Sequence, residues 1–378
     1  MRYLNRRRIE AVVFLALLIG FFSFMASYMT LNHLLSSLMN TAHDLLLNTV
    51  FYILAITVLA GALGKLMIEF GVVRLLEFLL APFMKPLFNL PGVAAMGGLM
   101  TFFSDNPAII SLAKDKNFSS YFHKYQLLSL TNFGTAFGMG LVVITFMIGK
   151  GFFLPAIIGL IGATIGAIFS TRIMQMFIKK ILPKEELNFH KDLEEKISFR
   201  SEGSTFMRAL NATLDGGKQG VDLGIAIIPG VLIISTLVML LTFGPADASI
   251  GYQGLPYEGV PVLPKLGSYV GWLFRWLFGF KNAELIAFPI TSLGAVGAAL
   301  SLVPKFIQEN IIGANEIAVF TAMGMCWSGY LSTHTAMLDS LNHRELTSRA
   351  LISHTIGGLA AGISAHYIIV LLSFFHLI

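Results

Sequence analysis

Seven stretches of this chain, at about 11–30, 48–68, 125–149, 152–178, 222–243, 314–338 and 350–375, are apolar over close to the roughly 20 residues a helix needs to cross a bilayer. Backbone inside hydrocarbon must satisfy its own polar groups, so such stretches fold as helices. Composition agrees. The 378 residues are 55% hydrophobic and 12% charged, against about 25% charged in soluble domains. The 36 glycines fit the close approach of membrane helices. The chain reads as an all-α polytopic membrane protein. Its net charge of +5 is no nucleic-acid signal, because the basic residues flank apolar segments and carry topology instead. A single cysteine, Cys326, excludes an internal disulfide and a Cys-rich metal site.

The first apolar run, "AVVFLALLIGFFSFMASYM", is longer than the core of a secretion signal and shows no small-x-small cleavage site. It reads as an uncleaved spanning helix whose start is held in the cytoplasm by Arg2, Arg6, Arg7 and Arg8.

Two further stretches, 91–113 and 282–304, are apolar but interrupted by polar residues or proline. Each follows an amphipathic segment, "VVRLLEFLLAPFMKPLF" or "YVGWLFRWLFGFK", of the kind that lies in the membrane interface. Basic residues decide whether these stretches cross. If both re-enter, the inside holds Arg2, Arg6, Arg7, Arg8, Lys65, Arg74, Lys85, Lys114, Lys116, Lys124, the 172–218 group, Arg344 and Arg349. Only Lys150, Lys265, Arg275, Lys281 and Lys305 face out. A crossing at 91–113 would put the basic loop 179–220 outside, against the positive-inside rule. Two re-entrant hairpins are therefore expected. The loop itself mixes both signs and reads as a solvated linker containing a short helix.

A shift of 190 positions lays Thr101 over Thr291, Ala108 over Ala298, Thr131 over Thr321 and Gly134 over Gly324. Identity is low, but the element order is the same in both halves: span, amphipathic helix, hairpin, span, span. The copies begin on opposite sides, so they are expected to be inverted. The expected organisation is an N-terminal spanning helix and connection (1–47), a first repeat (48–178), a cytoplasmic linker (179–221) and a second repeat (222–378). Inverted repeats with interrupted apolar segments at matching positions are the sequence mark of secondary transporters.

The run "GVVRLLEFLLAPFMKPLFNLPGVAAMGGL", followed by a polar break and "LTNFGTAFGMG", resembles the nucleoside-recognition or Gate domain. That domain occurs in concentrative nucleoside transporters, bacterial ferrous-iron transporters and spore maturation membrane proteins. A more divergent copy covers about 222–375. The resemblance implies the fold. The acidic substrate-binding pattern of true concentrative nucleoside transporters is not found, so it does not name the substrate.

The residues that can carry chemistry cluster at the breaks. Ser104, Asp105, Asn106 and Pro107 form the first, where unwound carbonyls and a carboxylate can hold Na⁺, a proton or a cationic part of a solute. Asp105 can equally cap the arm that starts near Pro107. The matching break, "AFPITSLGAVG", offers Pro289, Thr291 and Ser292, or is a packing turn. In the following spans Thr321, Gly324, Ser328, Ser332, Thr335 and Asp339 share a helical face, as do Thr131, Gly134, Gly138 and Thr145, with Asn132 beside them. Small and hydroxyl residues in such a pattern also serve as packing glue. Asn132 and His334 need partners in hydrocarbon, and His334 can relay a proton.

The leading expectation is a non-enzymatic secondary transporter of a small polar or charged solute in the bacterial inner membrane, N-terminus cytoplasmic. It would carry no cofactor beyond a coupling ion, Na⁺ or H⁺. Its partners would be solute and lipid, not nucleic acid, with homo-oligomerisation left open. The alternative is a non-transport scaffold or assembly factor of the spore maturation type. The break at Asp105 is expected to lie deep, close to Asn132 and to the "FPITS" break.

Overall fold

Helix length separates the segments that can cross a bilayer from those that cannot. The computed structural model describes residues 2–182 and 203–376, with side chains from Arg6 onward. Among them, six helices are long and apolar enough to cross a membrane. The first is α1 (Arg2–Met29). Thr30 then turns the chain with a positive φ of 62°, and its hydroxyl accepts the amide of His33 (3.4 Å) to start α2 (Leu31–Asp44). Through a π-helical turn, α2 runs directly into α3 (Phe51–Glu69). The sequence reading left 31–47 as a connection, but Leu31–Glu69 forms 39 residues of continuous helix. At 1.5 Å per residue this exceeds a hydrocarbon core.

The polar part of α2 is used as a post for the loop at 246–258. Asn40 Nδ2 donates to the Gly254 carbonyl (2.8 Å), the Tyr257 amide donates to Thr41 Oγ1 (2.7 Å), and the Tyr257 hydroxyl donates to the Asp44 carboxylate. Within the loop, Glu258 accepts the amides of Ala246 (3.1 Å), Gln253 (2.9 Å), Gly254 (2.8 Å) and Leu255 (3.1 Å). Burial alone would raise the Glu258 carboxyl, but the four amides outweigh it and hold the group below the usual glutamate value.

After α3 the chain forms the amphipathic α4 (Val72–Phe83), with Leu75, Phe78, Leu79 and Phe83 exposed. Two short helices follow, α5 (Ala94–Phe103) and α6 (Pro107–Lys114). At ten and eight residues neither can span a bilayer. They fold back on one another: a Cβ on Gly97 would lie 2.7 Å from Ile109 Cδ1. Next come the one-turn α7 (Lys116–Ser119), then α8 (Lys124–Thr135), α9 (Gly140–Gly149) and the long α10 (Phe153–Ile181).

The second half repeats this order. Helix α11 (Thr205–Ala226) continues through a π-helical turn into α12 (Thr236–Leu240). The amphipathic pair α13 (Val262–Tyr269) and α14 (Gly271–Phe278) follows. The hairpin is α15 (Ala287–Gly294) against α16 (Val296–Leu300) and α17 (Leu302–Gln308). The last elements are α18 (Ala314–Cys326), α19 (Tyr330–Ser340) and α20 (Thr347–Phe374). The span expected from 222 thus begins at Thr205, inside the stretch read as a linker. That linker's first residues, 179–181, belong to α10, and 183–202 lie outside the described residues.

Local geometry obeys the same 190-residue offset. Thr101 Oγ1 donates to the Gly97 carbonyl (2.8 Å), and Thr291 Oγ1 donates to the Ala287 carbonyl (2.7 Å). Two expected spans, 125–149 and 314–338, are each broken in the middle. The breaks start their second helices at Met139 (φ 53°) and Gly329 (φ 64°), both left-handed and 190 positions apart. Gly329 takes this conformation without a side-chain penalty, whereas at the first break it falls on Met139, between Gly138 and Gly140.

Candidate functional site

Asn106 lies against both helix breaks. It sits at the bend between α5 and α6 and is buried, 6% exposed. Its amide lies between the two breaks. A Cβ on Gly138 would come within 2.2 Å of Asn106 Oδ1, and one on Gly329 within 2.5 Å of Nδ2. Nδ2 donates to Ser328 Oγ (3.3 Å). Asn106 Oδ1 has no hydrogen-bond partner, and the same is true of Asp105 Oδ1, one residue earlier. Two buried oxygen acceptors without donors sit side by side at one bend. Such groups cost free energy unless water, an ion or a solute meets them.

Asp105 and Ser104 face the other way, into a cavity of roughly 450 Å³ between the first hairpin, α3, α9 and α11. Its polar wall is Thr57, Lys65, Ser104, Asp105, Ser111, Gln219 and Asp222, and the rest is apolar. A concave, mostly apolar space with a few polar groups is the usual form of a small-molecule site. Lys65, Gln219 and Asp222 were not read as site residues. Lys65 is a lone charge in the apolar α3, and Gln219 and Asp222 lie within the polar stretch of α11, which sequence alone cannot tell from a solvated face.

Asn132 and His334 belong to a second polar cluster. Asn132 Nδ2 shares its two protons among three acceptors, Ser170 Oγ (2.9 Å), Ser353 Oγ (2.9 Å) and the Ala350 carbonyl (3.0 Å), while its Oδ1 has no partner. Ser170 Oγ lies 2.8 Å from His354 Nδ1, while His354 Nε2 donates to the Cys326 carbonyl. The His354 and His334 rings lie 4.5 Å apart. His334 Nδ1 donates to the Tyr330 carbonyl (2.5 Å), and its Nε2 has no partner. Asn132, Ser170, His334, Ser353 and His354 are each fully buried. His354 is the residue that joins the cluster, and the sequence reading passed over it as one polar residue on a glycine-rich helix.

The structure therefore groups the anticipated residues differently. Asn106 meets Ser328 and the two helix breaks, not Asn132. Asn132 is occupied with α10 and α20 because its amide finds three acceptors there. The "FPITS" residues turn inward on their own helix: Thr291 and Ser292 donate to the carbonyls four residues back (2.7 and 2.9 Å), and Pro289 is buried beside them. Thr321 likewise donates to the Ile317 carbonyl (2.7 Å), whereas Thr131 Oγ1 is buried without a partner.

Comparison with known proteins places this geometry. The family model described as Gate, nucleoside recognition, matches residues 50–151. The sporulation integral membrane protein YlbJ of Bacillus subtilis is 36% identical over 106 residues, 27% of this chain and 24% of that relative. The match thus spans about a quarter of the relative's length. Among solved structures, CNTnw, a concentrative nucleoside transporter, is similar in several states. A variant in an outward-facing state gives a TM-score of 0.55 at 14% identity, covering 96% of this chain and 85% of that one. The inward-facing, substrate-bound form gives 0.52 at 15% identity, covering 83% and 74%. The chain is a multi-pass helical membrane protein with the fold of the concentrative nucleoside transporters, and its residues 50–151 match the nucleoside-recognition Gate model.

Proposed function

We propose that the protein is a secondary transporter in the bacterial inner membrane, moving a small polar solute by alternating access. The observation that carries the reading is the Asn106 crossing, where a hairpin bend wedges between two broken helices beside a cavity of solute size. Broken helices meeting at one point supply free backbone groups and unpartnered side-chain oxygens, the usual means of holding a solute or ion inside a membrane. Solved neighbours of the same fold are outward-facing in one case and inward-facing with substrate in another, which supports alternation. The Asp105 carboxylate, which lines the cavity, suits Na⁺ or H⁺ as coupling ion.

Reconstitution into liposomes tests this. Uptake of at least one member of a panel of nucleosides, nucleobases and small carboxylates is expected under an imposed Na⁺ or proton gradient. Asp105→Asn is expected to abolish the gradient dependence while the protein folds normally. Absence of binding and flux across the panel under both gradients would overturn the reading. It would favour the second one, a non-transport assembly role, for which the likeness to a sporulation protein speaks.

A further inference from the structure

Away from the Asp105 cavity, and sharing no lining residue with it, a second cavity of roughly 360 Å³ opens where α13, α14 and the start of the second hairpin meet. Ser268, Gly271, Trp272, Arg275, Lys281 and Asn282 are among its lining residues. Among the described residues, neither Arg275 nor Lys281 has a carboxylate within ion-pair distance. Two cations facing one concavity leave it short of negative charge. The Ser268 hydroxyl proton is already given to the Lys265 carbonyl (2.7 Å), so its oxygen is left to accept.

The helix that carries the cavity fixes the depth. On α14, Trp272 and Trp276 are 71% and 63% exposed and lie four residues apart on one side, and Tyr269, the last residue of α13, is 74% exposed. Exposed Trp and Tyr in that arrangement mark the headgroup level of a bilayer. A soluble anion would use the two cations but not the aromatic edge beside them.

We propose that this cavity binds the headgroup of an anionic phospholipid. Arg275 and Lys281 hold the phosphate, the Asn282 amide donates to it, and Ser268 Oγ accepts from a headgroup hydroxyl. Phosphatidylglycerol has both required features, a net negative phosphodiester and a hydroxylated headgroup. The acyl chains run down past Trp272 into hydrocarbon.

Native mass spectrometry of the detergent-purified full chain tests the proposal with phosphatidylglycerol, phosphatidylcholine and inorganic phosphate as probes. The wild type is expected to retain phosphatidylglycerol about tenfold to thirtyfold better than phosphatidylcholine, the order two interfacial cations supply. Arg275→Gln with Lys281→Gln should bring the two lipids within about twofold. Gly271→Leu should weaken phosphatidylglycerol with both charges kept, since a Cβ there meets nothing within 4 Å and the longer side chain fills the cavity. Arg7→Gln with Arg8→Gln, removing equal charge elsewhere, should keep the preference. Equal retention of both lipids by the wild type overturns the proposal, as does a preference that survives both cavity variants. Displacement of the lipid by sub-millimolar inorganic phosphate also overturns it, showing a free-anion site instead.

Discussion

Asn132 and Thr131 are neighbours, both fully buried, and they make opposite predictions. Asn132 Nδ2 reaches two hydroxyls and a carbonyl, though its Oδ1 has no partner. Asn132→Leu removes these bonds but leaves Ser170 with His354 and Ser353 with the Arg349 and Ala350 carbonyls, so stability is expected to fall by about 0.5–1.5 kcal/mol, read by thermal unfolding in detergent. Thr131 Oγ1 satisfies nothing, so Thr131→Val, close to it in shape, is expected to leave stability unchanged or slightly raised. If solute binding falls in that variant while the melting temperature holds, the orphan hydroxyl faces the solute. Glu258 gives a third prediction, on pH. Its carboxyl is lower in the folded protein than in the unfolded chain, so the carboxylate's stabilisation is full above the ordinary glutamate value near 4.3. It is lost as pH falls through the depressed folded value. Hydrogen exchange in 246–258 should therefore stay protected at pH 7 and open well below pH 4, whereas Glu258→Gln should be loosened at both.

At the scale of helices, two seams of small residues join the halves. Along α3 and α11, a Cβ on Gly216 would lie 2.3 Å from the Gly61 carbonyl oxygen, and one on Gly220 would lie 2.2 Å from that of Thr57. Along α10 and α20, a Cβ on Gly166 would lie 2.5 Å from the Gly357 carbonyl oxygen and one on Gly162 would lie 2.7 Å from that of Ala361. Backbone contact of this kind is how membrane helices gain dispersion energy without a hydrophobic driving force. Gly220→Leu is expected to cost about 1–3 kcal/mol by overpacking and to lower the melting temperature. Gly217→Ala is the control, since its Cβ would meet only Val58 Cγ1, at 3.7 Å. Much at this scale was legible in the sequence. Apolar runs gave the spans, Pro107 and the polar residues around it gave the hairpin, and the offset of 190 aligned Thr101 with Thr291 to the level of one hydrogen bond. The breaks at Met139 and Gly329 were not legible, because each lies inside a run that reads as one span and closes around Asn106, a residue of another element. The partners of Asn132 were hidden for the same reason: Ser170, Ala350 and Ser353 reach it only through tertiary packing.

For the whole molecule, the matter left to experiment is how the halves are oriented. Their element order is the same, and their first helices pair with each other, as do their last. A two-fold rotation in the membrane plane would put the first hairpin's ends on the cytoplasmic face and the second's on the opposite face. The alternative, an axis along the membrane normal, would put both on one face. Charge favours the first arrangement: Lys114, Lys116 and Lys124 follow the first hairpin directly, whereas 241–265 has Lys265 as its only basic residue. Excess Lys and Arg in short loops marks the cytoplasmic side. Position 191 would report on the same question but lies outside the described residues. Single cysteines at Lys116 and at Lys281, in a Cys326→Ala background, are therefore the informative pair. A membrane-impermeant maleimide added to intact cells should label position 281 and spare 116 until the membrane is opened. Labelling of both from outside, or of neither, would remove the inversion, and with it the reason for alternating access about Asn106.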